Sequence, residues 1–195
     1  MATKYYNCVK TAKLILKVLR EAFPEVKFSV KTSTHGGCPA ILVSWVDGPS
    51  VARVEVLTKL FEASYYDSKS SCEYCFYHLM QGQLVRLGSD YIFCERSHTD
   101  TAVQQAINDV YQCYEAAFKK AELSKPSVFD FHNGALCDTY MVHLFLCSSI
   151  HNLINHALEQ MGEKLPASHS DTASSILKTD NPKHICTLSC QRGDY

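Results

Sequence analysis

The chain has 195 residues, 46% hydrophobic and 20% charged, with a formal net charge of −1. That is one domain, or one domain with an appendage, of ordinary globular composition. Eight Gly and six Pro exclude collagen-like and low-complexity chains, and no 18-residue apolar run offers a membrane span.

The charge is uneven. Residues 1–100 hold 12 Lys/Arg against 10 Asp/Glu, and residues 101–195 hold 7 against 10. Seven cations (Lys4, Lys10, Lys13, Lys17, Arg20, Lys27, Lys31) face only Glu21 and Glu25 within residues 4–31. This predicts a local surface for an anionic partner rather than a bulk nucleic-acid coat. Ten cysteines would suit a disulfide framework in a small secreted domain. Met1–Cys8 has no apolar core of a signal peptide, however, and Cys94, Cys113 and Cys147 sit in apolar or helical stretches. The reading is a reducing cytosol with mostly reduced thiols.

Residues 8–22 have helical periodicity, with Val9, Ala12, Ile15, Leu16, Leu19 and Ala22 on one stripe. Lys10, Lys13, Lys17 and Arg20, spaced 3, 4 and 3, share another face. Pro24 stops this helix. Residues 26–31 alternate as a half-buried strand, Thr34-His35-Gly36-Gly37 turns the chain, and residues 40–46 form the next strand. Asp47-Gly48-Pro49-Ser50 then turns into a helix over 51–63, with Ser50 as its cap. Residues 64–82 read as a loop. Short strands follow at 83–88 and 90–96 around Gly88-Ser89-Asp90. A third helix is expected over 101–121, a linker over 122–134, and an apolar helix over 136–161 ending at Gly162.

The order α-β-β-α-β-β-α predicts an α+β fold: a small antiparallel sheet with helices packed on one face, a C-terminal helical extension and a tail. The expected segments are a domain over 1–121, a linker and helix over 122–165, and a Ser/Thr/Asp-rich tail over 166–195. The apolar helix near 136–161 must bury its face on the core or in a homodimer.

Cys72-x-x-Cys75 supplies two zinc ligands where zinc takes four. The tail offers His184, Cys186 and Cys190 to complete a set, so Cys72, Cys75, Cys186 and Cys190 are the metal candidates. Against them stands the reading of a loop pair and unrelated tail cysteines. His143, Cys147 and His151, at i, i+4 and i+8, read as a polar edge of a packed helix, with His156, Asn152 and Asn155 continuing it. No nucleotide-binding, P-loop, nucleophile-elbow or zinc-protease motif is present, and no cofactor is expected. The binding candidates are Lys10, Lys13, Lys17, Arg20, Lys27 and Lys31, with Tyr5 and Tyr6 placed to stack on bases.

Residues Phe23-Pro-Glu-Val-Lys-Phe-Ser-Val30 end the first helix and open a strand. Val43-Ser-Trp-Val-Asp-Gly-Pro49 closes the next strand, and Gly88-Ser-Asp-Tyr-Ile-Phe-Cys-Glu-Arg96 follows later. Together these blocks resemble the large polyvalent protein-associated domain 29 family, over about residues 9–100. Asp67–Cys75 departs from the family pattern, and the resemblance transfers no catalytic residue. It implies a protein of phage or plasmid mobile elements acting in the host cytoplasm. On that footing the first expectation is a non-enzymatic anti-defence factor, of anti-CRISPR or antirestriction type, that binds a host defence complex. A nucleic-acid-binding module using the basic first helix is the second, and a cysteine- or metal-dependent enzyme the third.

Overall fold

The computed structural model describes residues 3–140 and 148–180. The fold is α+β, as the element pattern predicts. Its contacts divide the chain into two compact units: Met1–Trp45, Val51–Glu95 and Pro166–Tyr195 in the first, Val46–Ser50 and Arg96–Leu165 in the second.

The first unit opens with β1 (Lys4–Tyr6) and α1 (Cys8–Ala22). The Asn7 side chain caps α1 by accepting from the Lys10 amide, a standard N-cap bond. The buried stripe of α1 is Thr11, Ala12, Ile15, Val18, Leu19 and Ala22. Compared with the expected stripe, Val9 and Leu16 move out and Thr11 and Val18 move in. Thr11 can be buried because its hydroxyl donates to the Asn7 carbonyl and accepts from the Gly88 amide.

Strands β2 (Ser29–His35) and β3 (Cys38–Val46) form the expected hairpin. Gly36 and Gly37 lie at φ +56° and +83°, the two left-handed residues that a tight type I′ turn requires. These strands and β7 (Tyr91–Ser97) make a three-stranded sheet in the order β2-β3-β7, with β2 at its edge. Helix α1 and α2 (Val51–Thr58), which runs into a 3₁₀ turn at Lys59–Phe61, bury their apolar residues in one core. There Ile41, Val43 and Trp45 meet Ile15, Leu19, Val54 and Phe61. Trp45, 2% exposed, lies 5.6 Å from Phe28, ring to ring.

A second sheet replaces the loop expected over 64–82. It contains β4 (Ser64–Asp67), β5 (Cys72–Met80) and β6 (Gln83–Leu87), joined by β1 and by β8 (Ile176–Asp180). Strand β1 pairs with β6 in parallel and the other pairs are antiparallel. The two strands expected around Gly88 therefore belong to different sheets. Strand β5 escaped the alternation test because its fully buried residue is a histidine, His78, while Leu79 is exposed. The expected tail contributes structure as well: α7 (Asp171–Ser174) and β8. The Glu21 carboxylate accepts from the Ser170 and Thr172 hydroxyls and from the Thr172 amide. These bonds, that to Ser170 foremost, hold its pKa below the usual glutamate value.

In the second unit the expected third helix is two, α3 (Asp100–Cys113) and α4 (Glu115–Lys120), separated at Tyr114. The expected linker carries α5 (Val128–His132), closed by a Ser127–Asp130 capping box. The apolar helix, α6, spans Ile150–Glu163 rather than starting at 136. Tyr140 and Ser149 form an antiparallel bridge before it, and Gly162 lies inside its last turn. Val103, Ile107, Val110, Phe118, Phe131, Ile154 and Leu158 form this unit's core. Among the described residues no helix is long and apolar enough to cross a membrane.

Candidate partner-binding face

The basic residues of α1 are all exposed: Lys10, Lys13, Lys17 and Arg20. Amphipathicity causes this, because a helix that buries Ile15 and Leu19 must turn the opposite face to water. Between α1 and β2 lies a groove of about 480 Å³ lined by Val9, Ala12, Lys13, Leu16, Val30, Lys31 and Thr32. Val9, Ala12, Leu16 and Val30 make much of its lining apolar, and Lys13 and Lys31 reach it from two different elements. A second depression of about 410 Å³ continues along the helix past Lys13, Leu16, Lys17, Arg20 and Glu21. The structure thus gathers Lys13, Lys17, Arg20 and Lys31 along one surface. Lys10 lies one turn before Lys13, and Lys27 is exposed on the approach to β2 without lining the groove. Glu21 pairs loosely with Lys17 at 3.8 Å, but its carboxylate is largely engaged by Ser170 and Thr172. Those bonds leave the Glu21 charge in place, and the face is net cationic because Lys13, Lys17, Arg20 and Lys31 outnumber it.

Tyr6 receives the ammonium groups of Lys4 and Lys10 on its ring, at 5.3 and 5.9 Å, so cations already occupy its vicinity. Tyr5 is 59% exposed. One aromatic cluster had no signal in the sequence because its members come from separate strands. Tyr65 stacks on Tyr74 and Phe76 at 5.1 and 5.0 Å, and the Lys178 ammonium lies 3.6 Å from the Phe76 ring centre.

Cys72 and Cys75 both lie on β5, where each pairs with a residue of β4. Side chains alternate along a strand, so residues three apart point to opposite faces. The structure does not aim Cys72 and Cys75 at one ion, and Cys75 accepts from Arg86 at 3.4 Å. Cys186 and Cys190 lie outside the described residues, as do His143, Cys147 and His184. Among the described residues no group of three metal-ligating side chains converges. His151 stacks on Phe131 at 4.5 Å, which suits a packed polar edge. Among the described residues Cys8, Cys75, Cys94, Cys113 and Cys137 carry free thiols.

Burial favours the neutral forms of two side chains of the first unit, Cys94 and His78. Burial raises the Cys94 thiol, which contacts the Thr58 hydroxyl at 3.4 Å, so the nucleophilic thiolate is disfavoured. His78 is fully buried, with Nε2 2.6 Å from the Leu60 carbonyl. Burial lowers its pKa to about 4. Between pH 6.5 and 4 an unfolded chain takes up this proton and the folded chain does not, so stability falls with pH in that window. We expect a loss of about 3 kcal/mol from this one group between pH 7 and pH 4. Urea denaturation at stepped pH checks it: His78→Gln should flatten the slope, and an unchanged slope would show that His78 does not carry it.

The blocks that carry the family resemblance are structural. Asp47 and Gly48 adopt φ +54° and +72°, the turn conformation that Gly tolerates without cost. The Asp47 carboxylate accepts from the Thr99 amide and hydroxyl at 3.0 and 2.8 Å, at the start of α3. The Arg96 guanidinium, 4% exposed, donates to the carbonyls of Asp47, Gly48 and Leu158. In the first unit, a Cβ at Gly88 would stand 2.8 Å from the Tyr6 carbonyl oxygen and 2.6 Å from the Tyr5 hydroxyl, so a side chain is excluded there. Arg96, the last residue of one block, donates to Asp47 and Gly48 near the end of another.

No curated protein and no solved structure matches the chain. The family model of large polyvalent protein associated domain 29 does match it, over residues 6–122. That span runs from β1 to the end of α4, holds α1, the groove, Asp47-Gly48 and Arg96, and exceeds half the chain. The chain belongs to the large polyvalent protein associated domain 29 family, a family of domains found with the polyvalent proteins of mobile elements.

Proposed function

We propose that this chain is a non-catalytic binding protein of a mobile element, acting in the host cytoplasm, and that its working surface is the basic α1–β2 face. On this reading it blunts host defence, in the manner of an anti-CRISPR or antirestriction protein, by docking on an anionic surface of a defence complex. One observation carries the choice of surface: Lys13 and Lys31, from a helix and a strand, flank an apolar groove that continues past Lys17 and Arg20. A merely solvated lysine row lies on one helix and needs no groove. An apolar floor with charged rims is the layout of a protein interface, where burial supplies affinity and charge supplies orientation and on-rate. The family context supports the choice of target.

The test is capture of the full chain's partners from host lysate, with and without nuclease. A nuclease-resistant defence complex is expected, and Lys13→Glu with Lys31→Glu should weaken it at least tenfold, about 1.4 kcal/mol. The second reading is nucleic-acid binding through the same cations, favoured by the exposed Tyr5 beside them. It predicts that capture vanishes with nuclease and that affinity falls steeply with salt.

A further inference from the structure

We infer that the α1–β2 groove takes an extended peptide strand of a partner protein, in which apolar residues alternate with acidic ones, added to the free edge of β2. The inference rests on the α1–β2 face being the working surface and names what that face binds.

The hairpin geometry makes the case. His35 and Cys38 are partners across the two-residue turn Gly36-Gly37. In such a hairpin the pair flanking the turn exchanges both backbone hydrogen bonds, and bonded pairs then recur at every second residue. His35, Ser33, Lys31 and Ser29 therefore spend their amides and carbonyls on β3. Val30, Thr32 and Thr34 direct theirs to the opposite side. Strand β2 is the edge of its sheet, and these three residues have no backbone partner there among the described residues. An edge with unpaired N–H and C=O groups is a template for another strand.

Natural edges are protected by covering, by charged side chains, by proline or by bulges, and of these β2 carries one charged side chain, Lys31. Here β2 pairs regularly over all seven residues and contains no proline. What lies beside it is the open groove, whose wall is α1. A strand laid against a sheet edge and under a helix draws affinity from main-chain bonds and specificity from its alternate side chains. Those facing α1 would meet Val9, Ala12, Leu16 and Val30; those on the other side would pass Lys31. Lys13 on the rim and Lys17 and Arg20 beyond it select carboxylates. The groove volume of about 480 Å³ suits a few side chains, not a folded domain.

The experiment is selection of nine-residue random peptides from a display library against the full chain. The expected result is enrichment of peptides alternating apolar and acidic residues. Bound peptide should slow hydrogen exchange more than tenfold at the Val30, Thr32 and Thr34 amides. Thr32→Pro removes an outward amide without touching a β2–β3 bond, and should weaken the peptide at least tenfold. If circular dichroism shows that this variant misfolds, peptides N-methylated at alternate positions answer the same question: one of the two N-methyl patterns must lose binding. No enrichment, protection at other amides, or undiminished binding by Thr32→Pro would overturn strand addition. Host-complex capture that survives Thr32→Pro but fails with Lys13→Glu and Lys31→Glu would overturn strand addition alone and leave the basic-face reading standing. Capture indifferent to both changes would overturn both.

Discussion

Arg96→Ala is expected to destabilise the chain by about 3 kcal/mol, the largest loss among the substitutions considered. The guanidinium reaches four acceptors: the Asp47 carbonyl at 3.2 Å, Gly48 at 2.9 Å, Leu158 at 3.1 Å, and the Glu159 carboxylate at 3.3 Å. Glu159 is 41% exposed, so the ion pair itself contributes little. The carbonyls matter more. Each loses a charge-assisted donor and keeps little room for water, because the arginine side chain is 4% exposed. Leaving a buried acceptor unmet costs about 1–3 kcal/mol. Arg96→Lys should recover only part of the loss, since an ammonium cannot fork to acceptors on two segments as the planar guanidinium does. The urea midpoint with an unchanged m-value is the readout. An Arg96→Ala midpoint equal to the parent's would show that water replaces the guanidinium at no cost.

Gly162→Ala is expected to destabilise by about 2 kcal/mol, against the rule for helix interiors. Alanine normally exceeds glycine in a helix by about 1 kcal/mol. Here a Cβ would stand 2.5 Å from the Ser50 amide nitrogen and 3.0 Å from the Pro49 carbonyl carbon. Both are backbone atoms and cannot rotate away, and the Arg96 guanidinium at 2.9 Å closes the third side. Overpacking of this kind costs about 1–3 kcal/mol, enough to reverse the propensity gain. Gln160→Ala, on the exposed side of the same helix, should change stability by less than about 0.5 kcal/mol and serves as the control. A stabilised Gly162→Ala would mean that the 46–50 segment can retreat from the helix. The Ser50 hydroxyl, which bonds to the Glu163 carboxylate, argues that it is held.

Strong periodicity made much of the first unit legible. Helix α1 starts and ends where its apolar spacing and Pro24 place it, and the β2–β3 hairpin follows from the alternation over 26–31, the turn at Gly36-Gly37 and the apolar run over 40–46. The exposed row Lys10, Lys13, Lys17 and Arg20 also follows from spacing alone, because a 3.6-residue period fixes which side chains share a face. Three features broke the pattern. Strand β5 buries His78 among its aromatic neighbours, so polarity no longer reports burial. Strand β1 is three residues long, too short to show any period. Strand β8 lies almost a hundred residues beyond the strand it pairs with, in a stretch whose polar composition reads as tail.

The sequence by itself determined the α+β class, the cationic helix face and the family, since local periodicity and contiguous motifs carry them. Only the tertiary structure decided what those cations surround. Lys13 and Lys31 are eighteen residues apart, and nothing in their spacing says that they flank one apolar groove. Nor does spacing say that Cys72 and Cys75 diverge, since that depends on the segment being a strand. The meeting of Arg96 with Asp47 and Gly48 is likewise invisible in either block alone. Non-local contacts arise from how elements pack, and packing depends on all the faces at once rather than on any one stretch of chain.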